Sequence, residues 1–350
     1  MSYYKPNFRH PQLPENKLGL TSQAYEGAIS TLCAGCGHDS ISAAVIQAVW
    51  GLDIEPHRVA KVSGIGCSSK SPTYFLNKAH GFNSVHGRMP SVATGANAAN
   101  RDLMYIGVSG DGDTASIGMG QFAHVVRRNL NMMYIVENNG CYGLTKGQDS
   151  ATADEGSINK KGYENPFSGI DLVALALELG ASFVARSFSG DKEQLVPLMQ
   201  AAIAHKGFAL IDIVSPCVTF NNHARSTKSY DYTREHVEAG SVIDFVPVEE
   251  EITLSQESGS TQTVELHNGD AVCLHKTSEN YDPTNRSDAI KTVLSHKEEG
   301  KLLTGLIYVD PNTNDLHDTL KSTSKPLNSL GTAELCPGNT TLQTINDSFR

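Results

Sequence analysis

Two apolar runs, Leu103–Val108 and Met132–Val136, bracket a helix-compatible segment, Ser116–Asn129, and this strand–helix–strand order constrains the chain most tightly. Short apolar runs without polar alternation are buried on both faces, as strands of parallel sheets are. The same order recurs on either side. A helix over His38–Trp50, with Ile41, Val45, Ile46 and Val49 at near-helical spacing, precedes a strand at Val59–Ser63. Helices at Asp171–Leu179 and Asp191–His205 alternate with strands at Ser182–Arg186 and Ala209–Val214. The expected fold is α/β, a doubly wound, mostly parallel sheet with helices on both faces. Such folds collect ligands at the carboxyl ends of their strands. Four segments should fall there: Gly64–Cys67, Gly110–Asp113, Glu137–Gly143 and Ser215–Cys217.

Residues 1–30 read as an irregular N-terminal arm and 31–232 as the ligand-binding domain. Residues 233–350 read as a C-terminal extended arm suited to subunit contact. Within it, Ile252–Ser255 and Thr263–Leu266 are short extended runs, and His267–Asp270 is a hairpin turn. Asp288–Lys297 suits a helix and Leu306–Val309 a strand. A net charge of −10 argues against a nucleic-acid partner, which needs a basic face. No window approaches the roughly 18 apolar residues of a membrane span, and the polar Met1–Asn16 is no signal peptide. The expected compartment is cytoplasmic.

The Gly110-Asp111-Gly112-Asp113 turn puts a carboxylate at one strand end, and Asn138-Asn139 puts an amide at the next. Hard oxygen ligands beside glycine-rich backbone suit a Mg²⁺ ion gripping a diphosphate. Either turn alone could be an ordinary strand exit; both together, on adjacent strand ends, are specific. A dinucleotide fingerprint fails because Ala115 stands where its third glycine belongs. Seven cysteines are an odd number, unhelpful for a disulfide framework. Cys33 and Cys36 form a CxxC; Cys67 and Cys217 each end a strand segment that should meet it at the same sheet edge. Four converging thiolates suit a 4Fe–4S cluster, with structural zinc the competing reading. Cys273 and Cys336 lack partners at suitable spacing, as does the thiol of Cys141.

Asp113 to Glu137 fill a gap of 25 residues between the two turns, and the pattern resembles the thiamine-diphosphate signature. Taken with CAGCGH, GIGCSS, HGR, GDGD, RRN, YGLTKGQ, HKG and PCVTFN in that order, the chain resembles the β subunit of two-subunit 2-oxoacid:ferredoxin oxidoreductases, most closely the 2-oxoglutarate type. The resemblance covers about residues 30 to 235. It implies the diphosphate-binding half of a thiamine-diphosphate fold, with Mg²⁺ held by Asp111, Asn139 and the Cys141 carbonyl. It places the cofactors against Gly35, Cys36, Gly37, His38, Gly66, Ser68, His86, Gly87, Arg88, Gly110, Asp111, Gly112, Asp113, Asn139, Cys141, Gly143, Leu144 and Thr145. Lys70 and Lys146 would meet the substrate carboxylates, with His86 nearby; solvated loop lysines are the alternative. The implied reaction is CoA-dependent oxidative decarboxylation of a 2-oxoacid, 2-oxoglutarate before pyruvate or a branched-chain acid, with electrons leaving through the cluster to ferredoxin. An α subunit (of the fused γ/α type) would complete the site, in a dimer of αβ pairs. A non-oxidative thiamine-dependent decarboxylase would not need four converging cysteines.

Overall fold

The computed structural model describes residues 13–33, 35–143, 145, 147–157, 162–215, 217, 252–265, 271–336 and 338–350. In chain order the elements are α1 (Gly37–Gly51), β1 (Val59–Ser63), α2 (Ser71–Tyr74), β2 (His80–Asn83), α3 (Met89–Ala99), β3 (Met104–Gly110), α4 (Met119–Arg128) and β4 (Met132–Asn138). There follow β5 (Cys141–Tyr142), β6 (Gln148–Asp149), α5 (Leu172–Glu178), β7 (Phe183–Phe188), α6 (Lys192–Ala204) and β8 (Phe208–Val214). The last are β9 (Thr261–Glu265), β10 (Ala271–Lys276), α7 (Arg286–Glu298), β11 (Leu302–Val309), α8 (Leu316–Leu320), α9 (Thr332–Leu335) and α10 (Gly338–Ser348).

Among the described residues, nine strands form one sheet in the order β2-β1-β3-β4-β8-β7-β11-β10-β9. The pairings from β2 to β7 are all parallel, as the apolar runs predict. Strand β4 shows how the pattern works. Met132, Tyr134 and Val136 enter the core on one face, with Phe122 of α4 and Leu172 of α5. Met133 and Ile135 enter the core on the other, with Val45 of α1 and Leu195 of α6. Alternate side chains point to opposite faces, so a strand apolar at every position builds two cores at once.

The sheet does not end at residue 232. Strand β11 pairs antiparallel with β7, β10 parallel with β11, and β9 antiparallel with β10. Ala289, Val293, Leu303, Ile307 and Leu316 are buried in the same core as Tyr134. The 233–350 reading as an extended arm is therefore corrected for this stretch: residues 261–316 extend the sheet and its helical layer. Their strands carry polar residues such as Thr304 and His275, which broke the apolar signal. The turn expected at His267–Asp270 lies outside the described residues, although the strands flanking it pair as a hairpin would. Ile252–Ser255 forms no strand. Helix α10 has no buried residue. Among the described residues no helix is long and apolar enough to cross a membrane.

Candidate active site

Strand β3 delivers Asp111 and strand β4 delivers Asn139 to one rim, since Gly110 and Glu137 are paired across the two strands. Asp111 is 1% exposed. Its Oδ1 accepts the Asn139 N–H at 3.3 Å, and its Oδ2 accepts the hydroxyls of Ser150 and of Thr152, the latter at 2.6 Å. Asn138 is committed elsewhere, donating to Asp212 at 3.0 Å and accepting from Thr152 at 3.2 Å. Of the two asparagines, Asn139 is thus the one beside Asp111. Its Oδ1 accepts the Cys141 N–H at 3.1 Å, which turns the chain back on itself. A carboxylate, an amide oxygen and a nearby carbonyl are the donor set a hard cation takes, so Asp111, Asn139 and the Cys141 carbonyl fit Mg²⁺.

Asp113 does a different job. Its Oδ1 accepts the Gly87 N–H at 2.8 Å and its Oδ2 the Ser109 hydroxyl at 2.8 Å. It thereby fastens the His86–Gly87–Arg88 loop to the rim. Gly87, at φ +65°, leaves no room for a Cβ against Gly118. His86 and Arg88 are exposed, as are Lys70 and Thr145, while Gly37, His38, Ser68, Gly112 and Gly143 are buried. Gly66, at φ +112°, starts the tight turn that carries Cys67–Lys70. Leu144 and Lys146 lie outside the described residues.

The four cysteine positions approach from three elements: Cys33 and Cys36 before α1, Cys67 after β1, Cys217 after β8. Burial pushes the Cys36 thiol well up, and the Cys217, Glu137 and Cys33 charges push the same way. Burial also lifts Cys67 to about 11, again with Cys217 and Cys33 opposing its charge. Cys33 and Cys217 therefore lie within electrostatic reach of both Cys36 and Cys67. Among the described residues no three His, Cys, Asp or Glu side chains are drawn close enough to grip a single metal ion. Gly35 sits within the CxxC at φ +76°.

Buried polar groups that the motifs did not reveal fill the floor. Glu137, the last charged residue of β4, is 0% exposed. It accepts the Ser71 hydroxyl at 3.0 Å, and His38 Nε2 stands 3.6 Å away. Burial pushes the carboxyl well up and His38 down to about 4. Each is thus driven toward its uncharged form, and their approach is a polar contact rather than an ion pair. His38 Nδ1 and Ser215 Oγ are 2.7 Å apart. A carboxylate closing an otherwise apolar buried strand was the available signal; Ser71, Ser150, Thr152 and Ser215 gave none.

His38 and Glu137 line a cleft of about 30 Å³, with Cys67, Ser68, Gly110, Asp111, Asn139 and Gly143 among its walls. Two roomier cavities, of about 400 and 510 Å³, share no lining residue with it; Thr152 of the first and Ser150 of the second hydrogen-bond Asp111. Residues 64–213, which contain Cys67, Asp111, Glu137 and Asn139, match the thiamine pyrophosphate enzyme, C-terminal TPP binding domain. A Sulfolobus 2-oxoacid:ferredoxin oxidoreductase subunit beta is 41% identical over 217 residues, covering 62% of this chain and 70% of that protein. The chain belongs to this family of β subunits. The family includes KorB, the 2-oxoglutarate oxidoreductase subunit of Mycobacterium tuberculosis, 39% identical over 54% of this chain and 51% of that one. The 2-oxoglutarate:ferredoxin oxidoreductase of Magnetococcus marinus, solved with 2-oxoglutarate, coenzyme A and succinyl-CoA bound, superposes with a TM-score of 0.69. That alignment has 29% identity and covers 89% of this chain and 90% of the other.

Proposed function

We propose that this β subunit carries Mg²⁺–thiamine diphosphate and a 4Fe–4S cluster, and that with an α subunit it oxidatively decarboxylates 2-oxoglutarate to succinyl-CoA, passing electrons to ferredoxin. The carrying observation is one of place. Asp111, Asn139 and Cys67 line one cleft, and Cys33, Cys36 and Cys217 belong to segments that flank α1 and β8 at the same sheet edge, which supports the reading. When bound, thiamine diphosphate supplies the carbanion chemistry that breaks the carboxylate bond, and the cluster takes the electrons.

The chain's own groups have narrower tasks. Asp111, Asn139 and the Cys141 carbonyl would hold the cation, and the loop fastened by Asp113 would face the diphosphate. Cys33, Cys36, Cys67 and Cys217 would hold the cluster. Lys70, exposed at the end of the Cys67 turn, is a point charge suited to a carboxylate; Lys146 and His86 would share that duty. On this chain alone the cleft is small, about 30 Å³, and the α subunit would supply further walls. Val85 and Phe167, 69% and 74% exposed, are apolar side chains such a partner would cover.

Anaerobic co-purification with the α subunit, followed by viologen reduction across a panel of 2-oxoacids, tests the assignment. The highest kcat/KM is expected for 2-oxoglutarate. Preference for pyruvate or a branched-chain acid would overturn the substrate, and CO₂ release without acceptor reduction would overturn the reaction class.

A further inference from the structure

Glu137 stands where the three cysteine-bearing segments meet. Ser71, four residues after Cys67, donates to its Oε2 at 3.0 Å. His38, two residues after Cys36, brings Nε2 within 3.6 Å of the same oxygen. The other ring nitrogen of His38 reaches the hydroxyl of Ser215, two residues before Cys217, at 2.7 Å. All four side chains are at most 2% exposed. Oε1 of Glu137 has no hydrogen-bond partner among the described residues, and Glu137 lines the same cleft as Cys67 and Asp111. The packing is close: a Cβ on Gly37 would stand 2.6 Å from Ser215 Oγ.

Burying a carboxyl costs several kcal/mol unless its bonds are satisfied, so half-satisfied Glu137 is a liability for stability alone. A stability-driven site would hold an apolar side chain at the end of β4, as at Ile135 and Val136. We infer that Glu137 is a positioning residue for the cluster: through Ser71, His38 and Ser215 it sets the spacing of the segments bearing Cys67, Cys33–Cys36 and Cys217. One residue thus tunes cluster retention and reduction potential without touching iron. Outer-shell groups act on metal sites in this way. The inference rests on the proposed cluster, and its consequence is distinct from the presence of that cluster.

The test uses the αβ complex, purified anaerobically as wild type, Glu137→Leu and Glu137→Gln. Iron loss to a chelator is followed by absorbance, and the cluster potential is measured by EPR-monitored titration. Leu is expected to speed iron loss about tenfold and to shift the potential, with Gln, which keeps a hydrogen-bonding side chain, restoring most of both. Should the Leu variant not fold, the Ser71→Ala/Ser215→Ala double variant carries the same expectation. Wild type without iron and sulfide would defeat the proposed function itself. Wild type with a cluster, alongside variants of unchanged iron loss and potential, would overturn the role of Glu137. A lowered melting temperature with an unmoved potential would also overturn it, leaving only a structural part.

Discussion

Asp111 is held ready by its neighbours: two hydroxyls and one backbone N–H converge on its two oxygens. Replacing it with asparagine keeps the shape and removes the charge a hard cation needs. Asp111→Asn in the complex should weaken Mg²⁺–thiamine diphosphate binding by at least the roughly 100-fold that losing an outer-shell partner can cost. Calorimetry checks this, and unchanged affinity would remove Asp111 from the site. Thr152→Val deletes one supporting hydroxyl, and a smaller loss of about tenfold is expected there. His205 offers a test by pH away from the rim. Its ring lies 2.8 Å from the Ser182 hydroxyl, against Phe183, and burial lowers its pKa. The unfolded chain then takes up a proton first, so stability is complete above the ordinary value of about 6.5 and falls as pH drops through it. His205→Gln should lose less melting temperature than wild type between about pH 7.5 and 5.5; equal losses would contradict the sign. The motif residues could be singled out because their types and spacing suit a cation and a thiolate set. Ser71, Ser150 and Thr152 could not be, and Glu137 and Ser215 were placed only as the first residues of strand-end segments, since a hydroxyl or a lone carboxyl gains meaning only when folding sets it beside another group.

At the scale of elements, legibility followed apolar periodicity. Strand β1 is Val59–Ser63 both as expected and as observed, and α1 differs from expectation by one residue at each end. Strand β2 has all four residues exposed, and α3, rich in Ala, has few large apolar side chains; neither leaves a period to find. The turn after Gly110 was expected to open a helix at Ser116, but Gly112–Ile117 winds as a π-helical turn before α4. That wider turn lets Asp113 reach back to Gly87, a local departure of the kind functional sites often show. The edge strands make a separate prediction. Leu303 and Ile307 of β11 are at most 2% exposed, so Leu303→Ala should cost about 3 kcal/mol in denaturant unfolding. A chain ending at 232 should be unstable, because β7 loses its neighbour and the core loses Ala289, Val293 and Ile307. A soluble, cooperatively melting truncation would restore the detachable-arm reading.

The whole molecule is a rim supported by a deep sheet. Two cores clamp the parallel strands from either face, which fixes the strand ends that carry the functional loops. Rigidity of this kind suits a site in which two cofactors must stay in register. The rim is open, and turnover is expected only in the assembled complex. The chain alone, given thiamine diphosphate, coenzyme A and a viologen, should reduce no acceptor above background; rates matching the complex would show a complete site within one chain. The central claim is that Cys33, Cys36, Cys67 and Cys217 hold iron beside the Asp111–Asn139 pair. Iron and acid-labile sulfide, determined on the anaerobic complex together with single Cys→Ser variants, address it most directly. About four of each per β chain, lost on substitution at any of those four positions and kept in Cys273→Ser, is the predicted result. Zinc in place of iron, or a full complement of iron in Cys217→Ser, would contradict it.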